Sequence, residues 1–210
     1  MRTEDLIDAL SRDARAPAVS LAGRLGLHLA GGCTVALVLF FVILGPRPDF
    51  QSAIATPWYP LKIALLAITA ALAFPLVEAM SRPGAPRPWR WLFAIAGLLA
   101  VSVIADVVVL GHSGASMRMI GKNALYCLSI IQIFALGPLV AVLAAIRAGA
   151  PTEASKAGAA AGLLSGAIGG VLYGLYCPDD SPLFVALWYS LAIGITAFAG
   201  AVAGRWALRW

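Results

Sequence analysis

Two of the three cysteines, Cys127 and Cys177, stand at the same end of two neighbouring apolar runs, where basic residues are scarce. Thiols at one depth can close a disulfide or share a soft metal ion, and either reaction lets a pair report on its surroundings. Four groups could assist them: Asp106 in the outer third of the third apolar run, His112 just beyond it, and Asp179 and Asp180 directly after Cys177 and Pro178. Thiolate, imidazole and carboxylate together suit zinc-like or softer metals, although this spacing matches no established metal motif. At this point a structural disulfide and plain packing thiols stand as alternatives. Closing a loop of about 50 residues would stabilise a free chain by roughly 4 kcal/mol, but helices already held in a membrane gain less. No cofactor is required beyond a heavy-metal ion transiently captured by Cys127 and Cys177. Cys33, within the first run, reads as a packing residue.

The elements that must position these groups follow from composition. The 210 residues are 61% hydrophobic and 12% charged, outside the range of soluble domains. Six apolar runs approach or exceed the roughly 20 residues that cross a bilayer as helix: 25–44, 59–80, 91–110, 123–146, 156–176 and 183–207. They lack the alternation of barrel strands, so the expected fold class is all-α, a polytopic membrane protein with six transmembrane helices. The first run is too long and wrongly flanked for a cleaved signal, and is expected to stay as a helix. The expected division is a tail at 1–24 that binds a partner and a transmembrane domain at 25–210, with no room for a soluble catalytic domain. Pro75 and Pro138 are expected to kink their helices.

Charge sets the orientation. With the N-terminus inside, eleven of the fifteen basic residues fall on cytoplasmic pieces, and only Arg47, Lys62, Arg118 and Lys122 fall outside. The positive-inside rule therefore places both termini in the cytoplasm and the thiol pair on the opposite side. The net charge of +5 expresses this topology and contact with an anionic bilayer, not direct nucleic-acid binding.

The tail carries Thr3 as an N-cap, acidic Glu4 and Asp5 in the first turn, and Leu6, Ile7 and Leu10 at helical spacing before Pro17. Such a short amphipathic helix is marginal alone, so its apolar stripe needs a partner or the membrane surface; four acidic residues favour a protein partner. In the fifth run, Gly158, Gly162, Gly166, Gly170 and Gly174 form an unbroken i, i+4 series. Small residues let helix backbones approach closely in lipid, so this face is expected against another span, of this chain or of a second subunit in a homodimer. A carboxylate within a span costs about 2.5–3.5 kcal/mol at the bilayer centre, so Asp106 should face the bundle and find a partner such as Arg118 or Lys122.

No Ser-His-Asp set, phosphate loop, HExxH or CxxC is present, so no enzymatic chemistry has a positive signal. A small transporter or channel for a metal ion or solute is the alternative, on the strength of Asp106 and the glycine-rich helices.

Two stretches carry a resemblance: the 2–10 opening, Arg-Thr-Glu-Asp-Leu-Ile-Asp-Ala-Leu, and the 177–189 block, Cys-Pro-Asp-Asp-Ser-Pro-Leu-Phe-Val-Ala-Leu-Trp-Tyr. With six spans, the whole chain resembles bacterial membrane anti-sigma factors of the negative-regulator-of-sigma-F (NrsF) type. The resemblance implies a multi-pass inner-membrane protein that sequesters an extracytoplasmic-function sigma factor and releases it under heavy-metal or oxidative stress. It also implies that Cys127 and Cys177 are the sensing pair, while Glu4, Asp5, Leu6, Ile7 and Leu10 supply the sigma-binding surface.

Overall fold

The computed structural model describes residues 3–5, 7, 20–85 and 90–208, and every long element among them is a helix. Six helices are long and apolar enough to cross a membrane: α1 (Leu21–Ile43), α2 (Trp58–Met80), α3 (Arg90–Leu110), α4 (Ala124–Ile146), α5 (Ala154–Gly174) and α6 (Pro182–Ala207). Their outward faces are studded with large apolar side chains, including Val42, Phe93, Val108 and Phe198, each more than 70% exposed. An exterior of this kind suits lipid rather than water.

Local chemistry explains where these helices differ from the hydropathy runs. α1 begins four residues before its apolar run because Ser20 caps it, its Oγ accepting from the Gly23 amide at 3.1 Å. The segment expected to link tail and membrane therefore contributes Leu21 to Arg24 to the helix. α6 starts with Pro182 in its first turn behind Ser181, whose Oγ accepts from the Leu183 amide, and runs through a π-helical stretch, Val185–Tyr189. Two short helices, Phe50–Ile54 and Ala115–Ile120, fill the connections after α1 and α3. Pro75 and Pro138 lie inside α2 and α4.

α5 is the hub, the most buried of the six, packed against α2, α4 and α6. Its glycine series meets helices of the same chain. A Cβ on Gly158 or Gly162 would strike the backbone of Gly200 or Thr196 on α6, and Gly166 faces Ile193 and Thr196. Gly170 faces both Leu66 of α2 and Tyr189 of α6, and Gly174 meets Ile63, Leu66 and Lys62 of α2. Each i to i+4 step turns the face by about 40° on a helix of 3.6 residues per turn, so four steps carry it from one neighbour to the next. α1 crosses α4 at a second close contact, where a Cβ on Gly32 would lie 2.8 Å from the Gly137 oxygen. α3 is peripheral, with only Ser102 and Asp106 buried along its length.

Two apolar clusters divide the interior. One, at the end where α4 begins and α5 finishes, contains Cys127, Cys177, Phe134, Tyr173, Phe184 and Tyr189. The other, at the opposite end, is built on Leu25, Leu76, Val77, Val142, Ile146, Ala161 and Leu208.

Candidate functional site

Cys127 sits in the first turn of α4, and Cys177 follows α5 by three residues, its amide bonded to the Tyr173 carbonyl at 2.9 Å. Antiparallel packing of α4 and α5 brings both thiols into one cluster, each fully buried and each free. The pair is thus inside the protein, not on its surface. Tyr173 and Tyr189 close around it, ring centroids 5.8 Å apart, and Tyr126 and Tyr176 continue the aromatic group. Burial pushes the Cys177 thiol above its ordinary value of 9.0, and the nearby Lys62 charge opposes that rise.

The loop after Cys177 is tied down residue by residue. Asp180 accepts from Lys62 Nζ at 2.5 Å and from Arg47 Nη1 at 2.9 Å. Lys62 also donates to the Cys177 carbonyl at 2.8 Å, and Arg47 grips Asp49 with two bonds of 2.7 Å. That fork holds the Asp49 carboxyl below its usual range and raises the Arg47 guanidinium further. Lys62 and Arg47 are 1% and 7% exposed, and both stack over the Tyr59 ring. Asp179 reaches back to the start of α4, where its Oδ2 accepts from the Lys122 and Asn123 amides and from Asn123 Nδ2. A carboxylate there complements both the unsatisfied amides and the helix dipole. Ser181 donates to Asp106 Oδ1, and Arg118 donates twice to Asp106 Oδ2, at 3.1 and 3.2 Å. Four of the five residues 177–181 therefore clamp α2, α3, α4 and the loop after α1 around the thiols.

The arrangement offers two buried thiols in one apolar cluster beneath a rim of paired charges. The profile of the family described as "Negative regulator of sigma F" matches residues 10–210. The chain is 36% identical to a protein of Caulobacter vibrioides named anti-sigma-F factor NrsF, over 214 residues that cover both chains completely. It is 34% identical to a probable anti-sigma-F factor NrsF of Azospira oryzae, again over the full length of both. The chain belongs to the NrsF family. No solved structure matches it.

Members of this family are regulators rather than enzymes, and both relatives are named as anti-sigma factors, which lends nothing to a transporter or channel. In this NrsF chain the expected auxiliary ligands are otherwise engaged. Asp106 is fully buried against Arg118, one of its expected partners, and Asp179 and Asp180 hold the amides and cations described above. His112 is exposed in the turn after α3. Among the described residues no group of three or more His, Cys, Asp or Glu gathers to hold a metal.

Arg47 and Lys62 are the residues sequence reasoning missed, because both were counted only as charges on outer connections. The available signal was a lone lysine inside an apolar run, which the same rule that flagged Asp106 marks as paired. Of the expected sigma-binding residues, Glu4, Asp5 and Ile7 are helical and exposed, whereas Leu6 and Leu10 lie outside the described residues. At the other end Glu78 pairs with Arg82 at 2.7 Å.

Proposed function

We propose that this NrsF-family protein is an inner-membrane anti-sigma factor that holds an extracytoplasmic-function sigma factor at its cytoplasmic end. Heavy metal or oxidant at Cys127 and Cys177, on the periplasmic end, releases it. The observation that supports this reading is the burial of two free thiols in one cluster at the end poor in basic residues.

Metal capture replaces two thiol protons by one soft cation. Oxidation joins the sulfurs, passing two electrons to an oxidant such as a peroxide and two protons to water. Either product shortens or redirects the contact between the start of α4 and the end of α5. Because interdigitated helices have discrete packings, such a change biases the bundle between two arrangements, and α5 carries it along α2 and α6 to the opposite end. The tail at 1–24, with Glu4, Asp5, Leu6, Ile7 and Leu10, presents the sigma-binding surface there. Replacing both cysteines by serine and measuring sigma-dependent transcription with and without metal or oxidant tests the reading: the response should vanish while repression persists. A full response in the double variant overturns it.

A further inference from the structure

Tyr173 and Tyr189 are the two largest fully buried side chains among the described residues, and both pack with Cys127 and Cys177. Neither phenol hydroxyl makes a hydrogen bond among the described residues. A buried hydroxyl without a partner costs about 1–3 kcal/mol, and burying two in one cluster is a strong departure from normal packing. Both hydroxyls lie beside the Cys177 sulfur, off the geometry of a formed bond. A thiol sulfur is a weak acceptor, whereas a thiolate is a charged one and takes hydrogen bonds about twice as strong as neutral groups do.

The other groups facing this sulfur come from every neighbouring element: Cys127 from α4, the Lys62 ammonium from α2, and Asp179 from its own loop. Asp180 and Arg47 face Lys62 and the Cys177 carbonyl. Burial and the Asp179 charge keep this sulfur protonated, while the Lys62 ammonium and the two idle hydroxyls are the groups placed to meet negative charge on it.

Resting on the thiol-pair reading above, we propose that Tyr173 and Tyr189 are positioning residues of a metal–thiolate site, their hydroxyls donating to the Cys177 sulfur once a soft divalent cation has displaced its proton. The S–H bond breaks, a sulfur–metal bond forms, and the proton passes to water. The hydroxyls, unsatisfied in the thiol form, are satisfied in the thiolate form, so the fold stores a preference for the metal-bound state. Outer-shell donors of this kind typically contribute 10–100-fold to metal affinity.

The test uses the full-length protein in lipid nanodiscs, with Zn2+ alone titrated against a chromophoric chelator. Tyr173→Phe and Tyr189→Phe should each weaken Zn2+ binding by about tenfold or more and move its midpoint to higher pH. Tyr126→Phe, whose ring belongs to the same group but is 42% exposed, should bind as the wild type does. The two phenylalanine variants should also leave the thermal stability of the metal-free protein unchanged or raise it, since each removes an unsatisfied hydroxyl and keeps the ring. Weaker binding with no loss of apo stability separates a ligand-directed role from a packing role. Wild-type affinity in both variants overturns the inference while leaving the thiol pair standing. Absence of Zn2+ binding by the wild type, or binding that survives Cys127→Ser with Cys177→Ser, overturns the thiol-pair reading and this one with it.

Discussion

Lys62 Nζ donates to the backbone carbonyl of Cys177 at 2.8 Å from a side chain that solvent does not reach. The same ammonium pairs with Asp180, three residues further on. α2 therefore grips the loop that carries the thiol at two points, and a bond formed at the Cys177 sulfur pulls on α2 as well as on α5.

Removing that grip should be expensive. Lys62→Met keeps the aliphatic stem but leaves Asp180 with Arg47 alone and the Cys177 carbonyl without its principal donor. Breaking a buried pair by deleting one partner costs about 3–5 kcal/mol, so the variant should unfold at a clearly lower temperature in nanodiscs. Asp180→Asn added to Lys62→Met should cost less than the two single losses summed, because the shared interaction is lost once. Strict additivity would mean that the pair does not couple α2 to the loop.

The α5–α6 interface should tolerate no side chain at its closest points. Gly158→Ala and Gly162→Ala place a methyl into the backbone of Gly200 and Thr196, where neither helix can yield without moving the other. Overpacking of this kind costs about 1–3 kcal/mol or more, visible as reduced folded yield and melting temperature. Gly26→Ala and Gly31→Ala on α1 meet nothing within 4 Å and should be neutral or slightly stabilising. Equal effects at the two sets of positions would contradict the packing described.

Hydropathy made the six helices legible, because a bilayer demands long apolar segments and no other fold supplies six of them here. Their ends were less so: Ser20 starts α1 with a hydroxyl, a local signal weaker than the four residues of hydropathy it outweighs. The glycine series announced close packing, but its partner depended on helical drift, which divides five residues between α6 and α2. Asp106 was readable as a buried, paired carboxylate because a lone charge in a span must find a partner. Lys62 carried the same signal and was hidden by its use in counting loop charge. The orphan hydroxyls of Tyr173 and Tyr189 had no signature at all, since only three-dimensional packing decides whether a tyrosine finds an acceptor.

Alkaline conditions should expose the cost of the buried thiol. Burial holds the Cys177 proton more tightly in the folded protein than in the unfolded chain, whose thiol titrates near 9.0. A group with its folded value raised contributes stability in full below the unfolded value and loses it as pH rises through the folded one. Stability should therefore fall above about pH 9, and Cys177→Ser, with nothing to ionise, should flatten part of that decline. Melting temperatures of the two proteins across this range are the measurement. Parallel curves would show that the thiol is not held protonated by its surroundings.

The proposed separation of a thiol input from a cytoplasmic output predicts an asymmetry in how the ends respond to truncation. Deleting residues 2–16 spares Ser20, the N-cap of α1, and leaves both apolar clusters intact, so the helices should insert and bind metal as before. The same deletion removes Glu4, Asp5, Leu6, Ile7 and Leu10 together, and sigma-dependent transcription should become constitutive and indifferent to metal. A fluorescent fusion at the C-terminus should be bright and an alkaline phosphatase fusion there inactive, as a cytoplasmic end requires. Persistent repression by a correctly inserted, tail-deleted protein would move the sigma-binding surface to the inner loops, where the Glu78–Arg82 and Glu153–Lys156 pairs are among the charged groups.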